Sequence, residues 1–571
     1  MIVWLAGVGL PSPSPSSQPT SFGAGVVTVS FLLSLLIWTP VVMAFVIALI
    51  PRGGRTRLER WPLGVAFWTM VGTLAVAVIG YSQFQSVSGG LQFEERLPWL
   101  PSIGVSYHLG VDGISMSVLL LNQLIGLVSV LAGWEMRDRP RAYFALLLLT
   151  QAAVTGVVAA QDFFLFFLFW ALAAVPVALL VGGWVRRPGA SARVLGYWAF
   201  GSAALLGGGL LLYRATGASS FDLSSLGAIQ GQTRLQFFAG VLFLLAAASR
   251  LPLVPLHGWV KDVYRDAPAG VAILVAGAAS RLGGYELIRL LAGAEHEGAK
   301  RLAPYLGILA AVTVGYAGLA ALRSRHVRGV AAYLALVPGG LTLLGLAGLT
   351  PLSLHGAVLS LFAGGLAAAL IAGAAATLAE RAGTGRVELA AGLATRMPIL
   401  AWLFAAGALS VLGLPFLATF GSNLMIFLGS FGTVPAPAFA VAAALVLVAG
   451  AVAWLLQRTL FGAPNREGPA PEEATLPEKW HLGILVGALL WVGLVPGGPK
   501  LVGIPLFDPG LINVINPGVA ELAAAYAPPP PPATPTPSAK PSPGPAQPGS
   551  ASPSPAAPAS PASSPAPSGA P

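Results

Sequence analysis

Between residues 246 and 268 the chain reads AAASRLPLVPLHGWVKDVYRDAP, which places Arg250, Pro252, Pro255 and His257 inside or beside an otherwise apolar segment of membrane length. A charge near the middle of a bilayer costs about 2.5–3.5 kcal/mol on insertion scales, so it normally faces a protein interior or a water-filled path. Pro252 and Pro255 interrupt the helix just beyond Arg250, and the carbonyls they free need a protected polar interior at that depth. A charge beside a broken helix is how transporters build an ion site. The same residues also fit an arginine that snorkels to the membrane interface next to a merely kinked helix.

Other ionisable residues extend this chemistry. His257 titrates near neutral pH, suiting it to gate protons or to hydrogen-bond across a helix gap. Glu286 lies five residues after Arg281 and three before Arg289, placed to pair with Arg289 or to turn inward and neutralise Arg281. Lys261, Asp262, Arg265 and Asp266 form a compact cluster, either solvated loop pairs or a cytoplasmic access point for protons. Asp112 reads as a helix cap or a loop-fixing carboxylate. His355, Trp99, Trp134, Trp184 and Trp259 fall at expected membrane boundaries, the tryptophans as interfacial anchors.

The elements that must position these groups are membrane spans. Of 571 residues 56% are hydrophobic and only 9% charged, too few charges for the surface of a soluble domain of this size. Segments long enough to cross a bilayer occur at 27–50, 61–81, 113–133, 142–160, 163–184, 194–213, 237–255, 270–291, 305–322, 329–349, 354–378, 399–429, 436–456 and 482–496. The expected fold is an all-α integral membrane protein of about fourteen transmembrane helices.

With the N-terminus outside, the seven loops expected in the cytoplasm hold twenty-one of the 31 Lys and Arg. That asymmetry is the positive-inside signature, so the net charge of +10 reports topology and not nucleic-acid binding. Both termini are then expected outside. The absence of cysteine excludes disulfides and thiolate-held iron–sulfur clusters, and no glycine-rich phosphate-binding loop follows a strand.

Residues 1–26 are expected as a flexible outer segment, 27–500 as the membrane domain, 501–527 as an outer C-terminal segment, and 528–571 as a disordered Pro/Ala/Ser-rich tail. The first ten residues lack a basic n-region, so no cleaved signal peptide is expected. Pro252 and Pro255 break the seventh span, and Gly413 with Pro415 breaks the twelfth, five spans later. Interrupted helices at corresponding positions suggest two inverted repeats, although Gly and Pro are common enough in membrane helices to coincide by chance.

Seven motifs carry a resemblance. They are LGVDGISM at 109–116, RPRAYFALLLLTQA at 139–152, DFFLFFLFW at 162–170, RLPLVPLHGW at 250–259, SRLGGYELIRL at 280–290, RGVAAYLAL at 328–336 and LGLPFLATFGSNLMIFLGSF at 412–431. In this order and spacing the chain resembles the antiporter-like membrane subunits of NADH:quinone oxidoreductase (respiratory complex I), of the subunit M type. The resemblance implies a membrane-arm subunit that couples quinone reduction elsewhere to proton translocation. It implies other membrane-arm subunits as partners, a bacterial-type inner membrane, and flavin, iron–sulfur clusters and quinone in the partner subunits, with no cofactor in this chain. A cation/proton antiporter subunit, or a membrane subunit of a hydrogenase-type complex, is the alternative.

Such subunits move protons with a buried lysine that alternates between charged and neutral, its pKa set by a neighbouring glutamate. Here the corresponding lysines are Arg250 and Arg281, the glutamate after the fifth-span tryptophan is Ala171, and the ionisable residue of the twelfth span is Asn423. Pro338 and Gly364 stand where relatives have histidines. Arginine keeps its proton under essentially all conditions met in proteins, whereas buried lysine can lose its own. The substitutions leave two expectations open, a translocating subunit with fixed cations on its axis or a structural spacer.

Overall fold

The computed structural model describes residues 31–49, 60–86, 90–217, 220–226, 233–387, 391–461, 472–495 and 510–527. The expected flexible segment 1–26 and the tail 528–571 lie outside the described residues, as do residues 501–509.

The first helices are α1 (Leu32–Leu49), α2 (Trp61–Gln83), α3 (Gly113–Ala132), α4 (Pro140–Ala159), α5 (Phe163–Trp184), α6 (Ala190–Thr216) and α7 (Thr233–Arg250). After a stretch whose one helical piece is a π-helical turn at Lys261–Arg265 come α8 (Ala269–Ala292), α9 (His296–Arg323), α10 (Val327–Gly348) and α11 (Pro351–Arg381). The twelfth segment is two helices, α12a (Pro398–Leu412) and α12b (Ala418–Ser430), followed by α13 (Pro435–Leu460), α14 (Leu476–Leu494) and α15 (Leu511–Ala524).

Among the described residues, eleven helices are long and apolar enough to cross a membrane. The other three expected spans are helical but fall outside that set: α7 ends at the charged Arg250, α12 is split, and α14 begins with Glu478 and Lys479.

Burial sorts these helices. α8 and α11 are buried within the bundle, α8 despite carrying Arg281, Glu286 and Arg289, whereas only a third of α13's apolar stretch is buried. Outward faces carry large apolar side chains, Trp68, Trp402 and Phe439 among them, the surface a lipid environment accepts. Glycines let the inner helices touch: a methyl at Gly283 on α8 would stand 2.5 Å from the Ala247 carbonyl oxygen of α7.

One element departs from the all-α expectation. Residues between α2 and α3 form an antiparallel hairpin, β1 (Gln92–Leu100) and β2 (Val105–Val111), paired from Gln92↔Val111 to Leu100↔Val105. Charges interrupt any period-two pattern in β1, so the sequence does not announce a strand. The hairpin lies over one end of the bundle, where the Gln161 N–H donates to the His108 carbonyl and the Phe221 N–H to that of Gly104.

α7 and α12 both break partway through the bundle, and they run in opposite directions. α7 starts from the hairpin end, whereas α12b finishes there. The α12 break is set by Gly413, whose φ of +78° is a conformation glycine adopts without strain, and by Pro415 two residues on.

Candidate functional site

The seventh-helix break brings together the groups singled out in the sequence. Arg250 is fully buried, which excludes a snorkelling arginine. Its guanidinium carbon lies 4.2 Å from the centre of the Trp198 ring on α6 and 4.4 Å from that of Trp170 on α5. Nη2 donates to the Trp170 carbonyl, while Nε and Nη1 have no hydrogen-bond partner. Ala171 follows Trp170 directly, so the expected carboxylate position presents only a methyl group. Two aromatic faces and one carbonyl therefore do what a carboxylate would do, stabilising a buried cation without an opposite charge.

Trp259 belongs to the same cluster and not to the membrane interface. It is fully buried, its Nε1–H donates to the Ser249 carbonyl at 2.8 Å, and its ring meets Trp198 edge-on at 5.5 Å. An indole with a satisfied N–H is no longer driven toward headgroups. His257 is half-buried, edge-on to Tyr316 at 4.5 Å, with its Nδ1 unpartnered.

Arg281 is the second buried cation. Its hydrogen bonds are local: Nε donates to the Ala276 carbonyl at 3.2 Å, and Nη2 reaches Ser280 Oγ at 3.4 Å. Residues Val275–Ala279 form a π-helical turn, a motif frequent at functional sites, in which the Ser280 N–H turns to Val275. Among the described residues no carboxylate forms an ion pair with Arg250 or Arg281.

Glu286 pairs with neither arginine. Arg289 instead meets Asp112, with Nη1 2.6 Å from Oδ2, and also bonds Tyr285 Oη at 3.0 Å and Ser115 Oγ at 2.8 Å. Asp112 caps α3 at the same time, accepting from the Ser115 N–H at 2.8 Å. Favourable helical spacing gave way to a stronger, largely buried partner from another helix. Both Glu286 oxygens are buried without a hydrogen-bond partner.

The charged loop also differs from a solvated cluster. Asp262 is buried and accepts from Arg193 at 2.8 and 3.0 Å and from Arg187 at 3.2 Å. Burial alone would raise its pKa, but these bonds and charges hold it below the ordinary carboxylate value. It ties the segment after the break to the start of α6. Asp266 bonds Arg265 at 2.8 Å, and Lys261 places its ammonium 5.5 Å from the Tyr333 ring.

At the second break, Asn423 on α12b packs against Gly413, where a methyl would come within 2.4 Å of Nδ2. Pro415 lies in the break with Gly413, far in sequence from Pro252 and Pro255 but alike in interrupting a helix. Pro338 and Gly364 pack against each other: a methyl at Gly364 would lie 2.6 Å from Pro338 Cβ. The two positions where the resemblance implied histidines form one matched contact. His355 is held by the Pro351 carbonyl at 2.7 Å and by Asn516 Oδ1 of α15 at 2.9 Å.

The residues that sequence reasoning missed are Trp170 and Trp198, and Arg187 and Arg193. A tryptophan in an apolar helix carries no sign of the arginine it faces, and Arg187 and Arg193 looked like topology signals.

Fold and site together describe a multi-pass, antiporter-like membrane protein with two oppositely directed broken helices, a buried arginine beside the first and a buried asparagine beside the second. Residues 160–449 match the family described as NADH:quinone oxidoreductase/Mrp antiporter, transmembrane, and the chain belongs to that family. It is 35% identical over 445 residues to NAD(P)H-quinone oxidoreductase chain 4 1 of Synechococcus sp. (strain JA-3-3Ab), covering 76% of this chain and 83% of the relative. It is 32% identical over 477 residues to F(420)H(2) dehydrogenase subunit M of Methanosarcina mazei, covering 81% and 94%. Among solved structures, a chain of respiratory complex I from Thermus thermophilus superposes with a TM-score of 0.74 at 25% identity, covering 86% of this chain and 99% of that one. A chain of the Mrp complex from Dietzia sp. DQ12-45-1b gives 0.76 at 21% identity, covering 88% and 99%, a likeness of fold alone.

Proposed function

We propose that this chain is the subunit-M-type membrane-arm subunit of a proton-pumping quinone oxidoreductase complex, and that its axis serves as a fixed electrostatic element and not as a proton carrier. The observation that carries the second half is Arg250, a buried cation caged by Trp170 and Trp198 with no carboxylate partner. A group that cannot release its proton cannot alternate between charged and neutral states. Arg281 in α8 is a second buried cation without a carboxylate ion pair, and Ala171 and Asn423 supply no titratable partner.

In this reading Arg250, Arg281 and the helix breaks at Pro252, Pro255, Gly413 and Pro415 hold a constant positive potential along the bundle. The loop charges Lys261, Asp262 and Asp266 fix its cytoplasmic end. Flavin, iron–sulfur clusters and quinone belong to partner subunits, and this chain binds no cofactor. It sits in the cytoplasmic membrane with both termini outside, the orientation favoured by its basic loops. An antiporter subunit shares the fold, but the curated relatives above are named for quinone and F(420)H(2) oxidoreductases, which favours the first reading.

The test is the ratio of protons moved to electrons transferred in the reconstituted complex. A complex holding the unmodified chain is expected to pump below full stoichiometry, and the combined Arg250→Lys, Arg281→Lys and Ala171→Glu variant is expected to raise the ratio. Full stoichiometry with the unmodified chain refutes the fixed-axis reading.

A further inference from the structure

α9 begins at the hairpin end, where His296 and Leu91 line one cavity, and its 28 residues carry it about 42 Å to Arg323 at the opposite end of the bundle. A second cavity, of about 480 Å³, opens there, and three basic side chains line it, Lys261, Arg265 and Arg323. They come from separate elements: Lys261 and Arg265 from the π-helical turn after the seventh-helix break, Arg323 from the last turn of α9. Among the described residues no carboxylate forms an ion pair with Lys261 or Arg323. Arg265 meets Asp266 through Nε at 2.8 Å, but Asp266 also takes Arg187 at 3.3 Å, so one carboxylate is shared by two cations. The cavity therefore carries an excess of positive charge. Gly329, in the first turn of α10, completes this wall. No side chain caps that helix start, and the free N–H end of a helix favours an anion. A methyl at Gly329 would lie 2.5 Å from Ser324 Oγ, so glycine keeps the corner open.

The opposite wall is apolar and aromatic. Leu319 and Ala320 lie one turn before Arg323, and the Tyr316 and Tyr333 rings meet edge-on at 6.0 Å beside them. Below the cavity an exposed apolar stripe continues along α9 through Leu319, Val312 and Ile308, residues spaced to share one face. A small soluble anion uses only the basic wall. An occupant that uses both walls has a phosphate at its head and hydrocarbon behind it. That is the chemistry of an anionic phospholipid, whose headgroup suits basic pockets between transmembrane helices.

We propose that this cavity is an anionic phospholipid site, in which Lys261, Arg265 and Arg323 hold the phosphate and an acyl chain lies along Leu319, Val312 and Ile308. One bound lipid joins the turn after the seventh-helix break to α9 and α10. Tyr316 also packs edge-on against His257 at 4.5 Å, so the lipid steadies the break from its open side. The site needs the bundle to span a membrane and nothing of how the axis handles protons.

The experiment is amide exchange of the assembled complex in three settings: vesicles of phosphatidylcholine alone, the same vesicles with inorganic phosphate, and vesicles of phosphatidylcholine and phosphatidylglycerol in equal parts. Both leaflets carry the added lipid, so the outcome does not depend on which way the complex inserts. Residues 261–265 and 324–329 are expected to exchange several-fold more slowly with phosphatidylglycerol than in either other setting. The Lys261→Gln/Arg323→Gln double variant is expected to lose that slowing. Arg137→Gln, which removes an exposed arginine at the same end of the bundle but outside the cavity, is expected to keep it. Slowing that survives the double variant overturns the proposal, and so does no slowing at all. Equal slowing with inorganic phosphate marks a free phosphate site and overturns the lipid assignment. Should the double variant fail to assemble, the unmodified chain decides. Slowing confined to residues 261–265 and 324–329 supports the site, whereas equal slowing at residues 135–139 marks a general attraction of basic loops to the membrane and overturns it.

Discussion

The Arg250 guanidinium sits 4.2 Å from the centre of the Trp198 ring and 4.4 Å from that of Trp170, so a permanent cation in the bundle interior is held by aromatic faces in place of a carboxylate. A cation over an indole gains about 2 kcal/mol or more when water is excluded, and less where water reaches it. The contact also fixes where the charge sits, because both tryptophans are themselves fully buried.

Removing one aromatic face tests this directly. Trp198→Leu leaves Arg250 buried with a single ring and opens space beside it, so a loss of about 3 kcal/mol or more is expected, in the range for a large aromatic truncated in a core. The expected readout is a lower Tm of the purified complex, with Trp198→Phe falling between the variant and the unmodified chain. Equal Tm values for all three contradict the caging role.

The Asp112–Arg289 pair joins the start of α3 to α8 at 2.6 Å, and the same carboxylate caps α3. Asp112→Asn keeps a capping side chain but strands the arginine, and breaking a buried pair in this way costs about 3–5 kcal/mol. Thermal unfolding should show Asp112→Asn to be more damaging than Lys300→Gln, which removes only an exposed pair with Glu297.

The hairpin is pinned by Asp222, which bonds His108 Nδ1 at 2.8 Å and Arg96 Nη2 at 2.5 Å. Burial opposes ionisation of Asp222, but His108 and Arg96 prevail and hold its pKa below 3.8. A lowered carboxylate pKa adds stability that is present above the unfolded value and is lost as pH falls through the folded one. Amide exchange of residues 92–111 should therefore quicken in acid below about pH 4. In Asp222→Asn it should already be fast at pH 7, with that acid dependence gone.

Gly364 and Pro338 are matched to each other, with 2.6 Å left for a methyl group. Gly364→Ala overpacks this contact and is expected to cost about 1–3 kcal/mol, seen as a lower Tm. Gly364→His, the residue that the resemblance implied here, should impair assembly unless Pro338 is replaced as well. A well-assembled Gly364→His complex argues against the matched packing.

Much of the membrane architecture was legible in the residues. Apolar runs gave the helices, and prolines and Gly413 marked both broken ones, because a missing N–H or a left-handed φ acts locally wherever the chain folds. The hairpin was not legible, since its strands are held by pairing with each other and with loops near residues 161 and 221, and charges mask their period. Trp259 was misplaced at the interface for a related reason: an amphipathic ring near a span end looks the same whether it meets headgroups or the carbonyl of Ser249.

The sequence by itself determined that charges stand inside a membrane bundle beside interrupted helices, and that Arg250 and Arg281 cannot release their protons, because these are properties of residue type and local spacing. Only the tertiary structure decided which group answers each charge. Trp170 is 80 residues from Arg250, and Asp112 is 177 from Arg289. Helical spacing offered Glu286 a partner three residues away, but packing carried Arg289 to Asp112 on another helix and left both Glu286 oxygens without a hydrogen-bond partner. Electrostatic partners inside a bundle are chosen by which helices touch, and no local pattern along the chain records that choice.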